Sequence, residues 1–127
     1  MASTVVKANK RLDMTRTAMT FSNTETAVGG SETTVLNKFD CALLNRYAIQ
    51  IFNSDGSTAG VAKVYGSLKD SPGSEGSSDW TQVGDDISVG TSSNALKAIS
   101  TTAIRHLCVR ATGNGADLTV IVYGEQI

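Results

Sequence analysis

Alternation of apolar and polar residues with a period of two runs through most of the chain. In "RYAIQIFN" (46–53) Tyr47, Ile49 and Ile51 fall on one face and Ala48, Gln50 and Phe52 on the other. That is the pattern of a β-strand, whose successive side chains point to opposite sides. "GVAKVYGSL" (60–68) resumes it after the turn "NSDGSTA", so the two runs read as an antiparallel pair. "DWTQVG" and "DISVG" read as short strands parted by Gly84-Asp85, and "ALKAIST" as another, anchored by Leu96 and Ile99. Towards the end Leu107, Val109 and Ala111 alternate, then "TGNG" intervenes, then Leu118, Val120 and Val122 alternate. Asn114-Gly115 tolerates the positive φ angles of a tight turn, so a closing hairpin is expected here.

The earlier segments "TRTAMTF" and "ETTVLNKFD" are rich in Thr and β-branched residues and also read as strands. One helix competes: in "VLNKFDCALLN", Val35, Phe39, Ala42 and Leu43 could share a helical face. The segment has no clear N-cap, and strand, turn, strand is the better reading. The expected fold class is all-β: an antiparallel β-sandwich of about seven to nine short strands with an extended N-terminal arm. The expected division is an arm over residues 1–13 and a single sandwich domain over 14–127.

Composition agrees with this. A chain of 127 residues with 40 % hydrophobic and 18 % charged residues suits one globular core, and 12 Gly with a single Pro suit many turns. Net charge is −1, which gives the whole molecule no electrostatic reason to seek nucleic acid or an acidic membrane. The charge is unevenly placed. Residues 1–20 hold Lys7, Lys10, Arg11 and Arg16 against Asp13, leaving seven bases and eleven acids in the remainder. A basic leader on an acidic body points to an arm that docks on a partner, and these four cations are the candidate partner-binding residues. Sandwich edges must be covered, charged or paired, and an arm is one means. No apolar run reaches the length of a signal peptide or a membrane span, so folding in a reducing cytosol is expected. Cys41 and Cys108 then read as buried small hydrophobes, although one bridge between them is possible.

The chain's single histidine and one cysteine lie two residues apart, at His106 and Cys108. On a strand they point to the same side with Cα atoms about 7 Å apart, sharing a half-exposed face with Ile104 and Arg110. A nucleophile and base need hydrogen-bonding reach and a third group to orient the base. Neighbours on one strand splay in parallel, so this reads as scaffold and no catalytic residue is expected. No metal or cofactor site is expected either. Cys41, His106 and Cys108 lack zinc-ligand spacing, Asp70, Glu75 and Asp79 lack that of a calcium loop, and "GNG" opens no helix. Trp80, Tyr65 and Tyr47 could stack on sugars if exposed; as a core plug, Trp80 would not.

From about Asp40 to Tyr123 the chain resembles small β-sandwich proteins of tailed-bacteriophage particles. The likeness rests on "YAIQIFN", "VAKVYGSLKD", "DWTQVGDDISV" and "AIRHLCVRATGNGADLTVIVYG", in that order. It implies a non-enzymatic virion structural protein, such as a capsid decoration (cement) protein, assembled in the host cytoplasm. The partners it implies are the major capsid protein or other virion proteins and further copies of the chain, a trimer most often. The alternatives are another particle component (head-tail adaptor, tail or fibre protein) or a carbohydrate-binding module.

Overall fold

The computed structural model describes residues 18–42, 44, 46–99 and 104–126. Among the described residues, nine strands account for the regular structure: β1 (Ala18–Val28), β2 (Thr33–Asp40), β3 (Arg46–Asn53), β4 (Gly60–Ser67), β5 (Thr81–Gln82), β6 (Ile87–Val89), β7 (Ser93–Ile99), β8 (His106–Thr112) and β9 (Ala116–Glu125). There is no helix among the described residues, and the competing helix over 35–45 gives way to β2 and a turn. Asp40 makes that turn by accepting the Ala42 amide at 2.9 Å.

All pairings are antiparallel and form two sheets, one of order β1-β9-β3-β7 and one of order β2-β8-β4-β5 with β6 also on β4. The topology is that of one long hairpin rolled up. β4 pairs with β5 and β6, β3 with β7, β2 with β8 and β1 with β9. Rolling then brings β9 against β3 and β8 against β4. This is a jelly roll, an antiparallel sandwich in which successive strands switch sheets except at β4, β5 and β6, which share one.

Two expected hairpins are corrected by this topology. β3 and β4 are not paired, and β8 and β9 are not paired; each couple is split between the two sheets. The turn at Asn114-Gly115 does form, with φ of 45° and 112°. Its amides, however, bond across to the β1–β2 connection: Gly113 N donates to Gly29 O at 2.9 Å and Gly115 N to Val28 O at 2.6 Å. The turn residues fix the reversal, while the inward-facing rows on both strands decide that they face each other across the core.

That core is built from the predicted alternation. Tyr47, Ile49 and Ile51 of β3, Leu107, Val109 and Ala111 of β8, and Leu118, Val120 and Val122 of β9 are all buried between the sheets. Ile104 belongs here too, ahead of β8, and not on the outer face with His106 as expected. Leu96, expected as an anchor, is instead 68 % exposed, while Ile99 is buried. Ala95 and Ile99 are the β7 side chains packed on the core, which puts Leu96 on the other side. Asn53 is a buried polar residue at the end of β3. Its amide nitrogen donates to Thr58 O at 2.7 Å and Gly90 O at 3.2 Å, and its oxygen accepts Asp55 N at 3.0 Å. It thereby ties two loops together at one end of the sandwich.

Candidate interaction surface

The outer faces of the two sheets differ in kind. On the five-stranded sheet, cross-strand partners Lys63 and Arg110 place two cations side by side. Like charges opposite one another repel, and Glu32 offsets this: Arg110 Nη1 lies 3.1 Å and Lys63 Nζ 3.9 Å from its carboxylate. The Tyr65 hydroxyl donates to the same group at 2.9 Å. Residues 68–80 then fold back over this face as a strap. Lys38 Nζ donates to Pro72 O at 2.9 Å and Gly73 O at 3.2 Å, and the Lys38 amide donates to Glu75 at 2.9 Å. That amide holds the Glu75 carboxyl below the usual carboxylate range despite partial burial. Lys69 bonds Asp79 at 2.9 Å, and Arg105 pairs with Asp70. Of the three acids that lacked calcium spacing, Asp70 and Glu75 pin the strap to the sheet, and Asp79 ties it internally to Lys69 and the Gly73 amide. Trp80, the last residue of the strap, is buried and donates from Nε1 to Gly73 O at 3.2 Å.

The strap also changes the setting of the expected half-exposed face. Cys108 is 0 % exposed, and burial pushes its thiol up to about 12. Cys41 is buried on the core side, where its thiol is likewise raised by burial, and both cysteines are free. His106 lies at the strap's margin in a shallow depression with Asp40, Asp70 and Pro72, and its buried Nδ1 has no hydrogen-bond partner. A protonated, covered thiol cannot act as a nucleophile, because the thiolate is the reactive form. No group of three His, Cys, Asp or Glu that could hold a metal occurs among the described residues. Trp80 and Tyr47 are buried and the Tyr65 hydroxyl is engaged by Glu32, so these three form no exposed stacking platform.

The four-stranded sheet presents a different outer face. Three rows cross it in the order β1, β9, β3, β7: Thr20, Tyr123, Ala48, Ala98; then Ser22, Ile121, Gln50, Leu96; then Thr24, Thr119, Phe52, Asn94. None of these side chains is charged. Leu96 is 68 % exposed, Tyr123 43 % and Phe52 37 %, three of the five exposed large hydrophobic residues among those described. The Tyr123 hydroxyl donates to Glu125 at 3.0 Å. Charges stand at the two ends: Arg46 pairs with Glu125 at 2.8 Å, and Asp117 accepts the Ala27 amide at 2.8 Å. An uncharged surface with exposed aromatic and aliphatic groups has the composition of an interface centre. Sequence reasoning could have found it, since the outward positions of 48–52 and 119–123 lack charge. The assignment of Leu96 to the core hid it.

The strand edges are unsuited to joining another sheet. β1 carries inward-facing Glu25 and an irregular register between Glu25 and Val28. β7 carries Lys97 opposite core residue Ile49, an inward charge of the same kind. β2 is irregular at two places, and Asn23 Nδ2 caps its Val35 carbonyl at 2.7 Å. Nearby, Phe21 and Phe39 stack across the mouth between β1 and β2 with centroids 4.0 Å apart. β5 and β6 are two short pieces separated at Gly84, whose φ is 77°. Inward charges, bulges and short strands all oppose edge-to-edge pairing.

The candidate partner-binding residues Lys7, Lys10, Arg11 and Arg16 lie outside the described residues. Ala18, where the described residues begin, lies opposite Glu125 at one end of the uncharged face.

No protein-family model and no curated protein matches the sequence. Solved structures do resemble it. SPBc2 prophage-derived protein YomS superposes with a TM-score of 0.57 at 10 % identity, over 92 % of this chain and 100 % of that one. A subunit of Bacillus endospore appendages, described as a family of disulfide-linked pili, superposes at 0.51 with 16 % identity, over 95 % and 96 % of the two chains. A chain of the cyanophage Pam1 capsid asymmetric unit is a looser match, at 0.47 with 16 % identity over 95 % and 93 %. At these identities, what this chain shares with the first two is its sandwich fold.

Proposed function

We propose that the protein is a non-enzymatic structural component of a tailed-phage particle, a decoration (cement) protein on the outside of the head. The observation that carries this reading is the contrast between the outer faces: one is covered by its own strap, and the other is uncharged and open to solvent. A particle component needs such a binding side. The sequence resemblance supplies the kind of particle. Four strands about 4.8 Å apart and about six residues at 3.4 Å each give the uncharged face roughly 400 Å². That is about half of what each partner of a stable pair buries. A contact this small suits a protein held in many copies, where several weak contacts act together.

In this reading the division is a basic arm over 1–13 and a sandwich over 14–127, and the arm supplies a second contact. Lys7, Lys10 and Arg11 of the arm, with Arg16 just beyond it, engage acidic groups on a neighbouring copy or on the major capsid protein, in a homo-oligomer of trimeric type. Covalent linkage between copies is not part of it, because the chain's two cysteines are both buried. The test is co-sedimentation with undecorated particles. Deleting residues 1–11 is expected to leave a folded protein that binds particles poorly, and binding by the full chain is expected to weaken with salt. Equal binding by both forms at the same salt would reduce the arm to a passive tail. Sedimentation with tails and not with heads would favour the adaptor, tail or fibre reading.

A further inference from the structure

We infer that the uncharged face of the four-stranded sheet pairs with the same face of a second copy, related by a two-fold axis. The inference rests on the reading of this face as a contact surface and names its partner. Beyond the first 20 residues, the chain carries eleven acids against seven bases, an acidic excess that disfavours contacts between copies through their charged surfaces relative to an uncharged one. The central rows of this face set no charge against another copy. At its end, Arg46 and Glu125 form a pair of opposite charges 2.8 Å apart, which a two-fold axis can set against the same pair reversed. Between them, Leu96, Phe52 and Ile121 supply apolar area, while Thr24, Gln50 and Asn94 supply groups that both donate and accept hydrogen bonds. A self-complementary surface needs such groups. The edges are closed to strand addition by Glu25 and Lys97, and the opposite face is occupied by the strap, so face-to-face packing is the geometry left to this sheet.

The test is the mass of the full chain in solution, by sedimentation equilibrium up to about 1 mM, the concentration range that reads a weak contact. Two substitutions are compared with the parent protein: Leu96→Lys on the face, and Leu68→Lys on the strapped side, the two leucines being 68 % and 67 % exposed. Both sites are exposed enough for the fold to survive, which circular dichroism checks. The parent protein is expected to form assemblies with an even number of chains, either a pair or two trimers of the proposed kind joined through this face. Leu96→Lys is expected to halve the mass, and Leu68→Lys to leave it unchanged. A parent protein that stays unpaired, or equal behaviour of the two variants, would overturn the inference. If Leu96→Lys abolishes particle binding while the parent shows no pairing, the partner is the shell; the proposed function then stands and this inference fails.

Discussion

Gly60 and Leu118 face each other across the sandwich, one on β4 and one on β9, and together they offer a sharp test of its packing. A Cβ added at Gly60 would lie 3.2 Å from both Leu118 methyl carbons and 3.5 Å from the Ala116 Cβ. Leu118 is fully buried, so it has little room to give. Overpacking of this sort costs about 1–3 kcal/mol. Gly60 lies outside the left-handed region, so alanine also restricts the unfolded chain and returns about 0.4–1 kcal/mol. The net expectation for Gly60→Ala is a loss of about 1 kcal/mol. Leu118→Ala removes a buried side chain and is expected to cost about 3–4 kcal/mol. With that side chain gone, the methyl group that Gly60→Ala adds projects into the space it leaves. In the Leu118→Ala background the Gly60→Ala change is therefore expected to reverse sign and stabilise, by about 0.5–1 kcal/mol, a coupling of the size neighbouring residues show. Urea unfolding of the four proteins, with a common slope, gives the cycle directly. An effect of Gly60→Ala with the same sign and size in both backgrounds would show that β4 and β9 do not meet as described.

Three further outcomes concern the loops, the strap and the buried thiols. Asn53→Ala removes the amide that serves Thr58, Gly90 and Asp55, and is expected to cost about 2–3 kcal/mol in urea unfolding; a change below about 0.5 kcal/mol would contradict that role. Cys108 is expected to resist thiol reagents at pH 8 until the protein is denatured, and prompt labelling of the folded chain would show that the strap opens readily. Burial also raises Cys108 ionisation from 9.0 to about 12, so the folded state keeps a proton that the unfolded state releases. Its contribution is complete below pH 9 and is lost as pH rises towards 12, with Cys41 and Tyr47 displaced in the same direction. A stability profile that rises across that interval would contradict the assignment.

Much of the fold was legible because period-two alternation reports burial directly. The inward rows of β3, β8 and β9 were all correctly placed. Pairing was less legible, since alternation states which face is buried and not which strand lies alongside. Asn114-Gly115 forms the same reversal whether the flanking strands pair or part into opposite sheets, and here they part. Leu96 misled for a related reason: on edge strand β7 an apolar side chain can face outward, with Lys97 facing inward. The setting of Cys108 depended on residues 68–80, whose Gly- and Ser-rich sequence reads as an open loop. What pins that segment is Lys38 with the Arg105–Asp70 pair, contacts made from far along the chain.

A cryo-electron reconstruction of the source particle tests most directly the proposal that this sandwich is an outer component of a phage head. One sandwich-sized density per copy is expected on the exterior of the shell, with the Leu96 face against neighbouring protein and the strap of residues 68–80 turned to solvent. Density confined to the tail, or a strap buried in contact while the Leu96 face is bare, would contradict it.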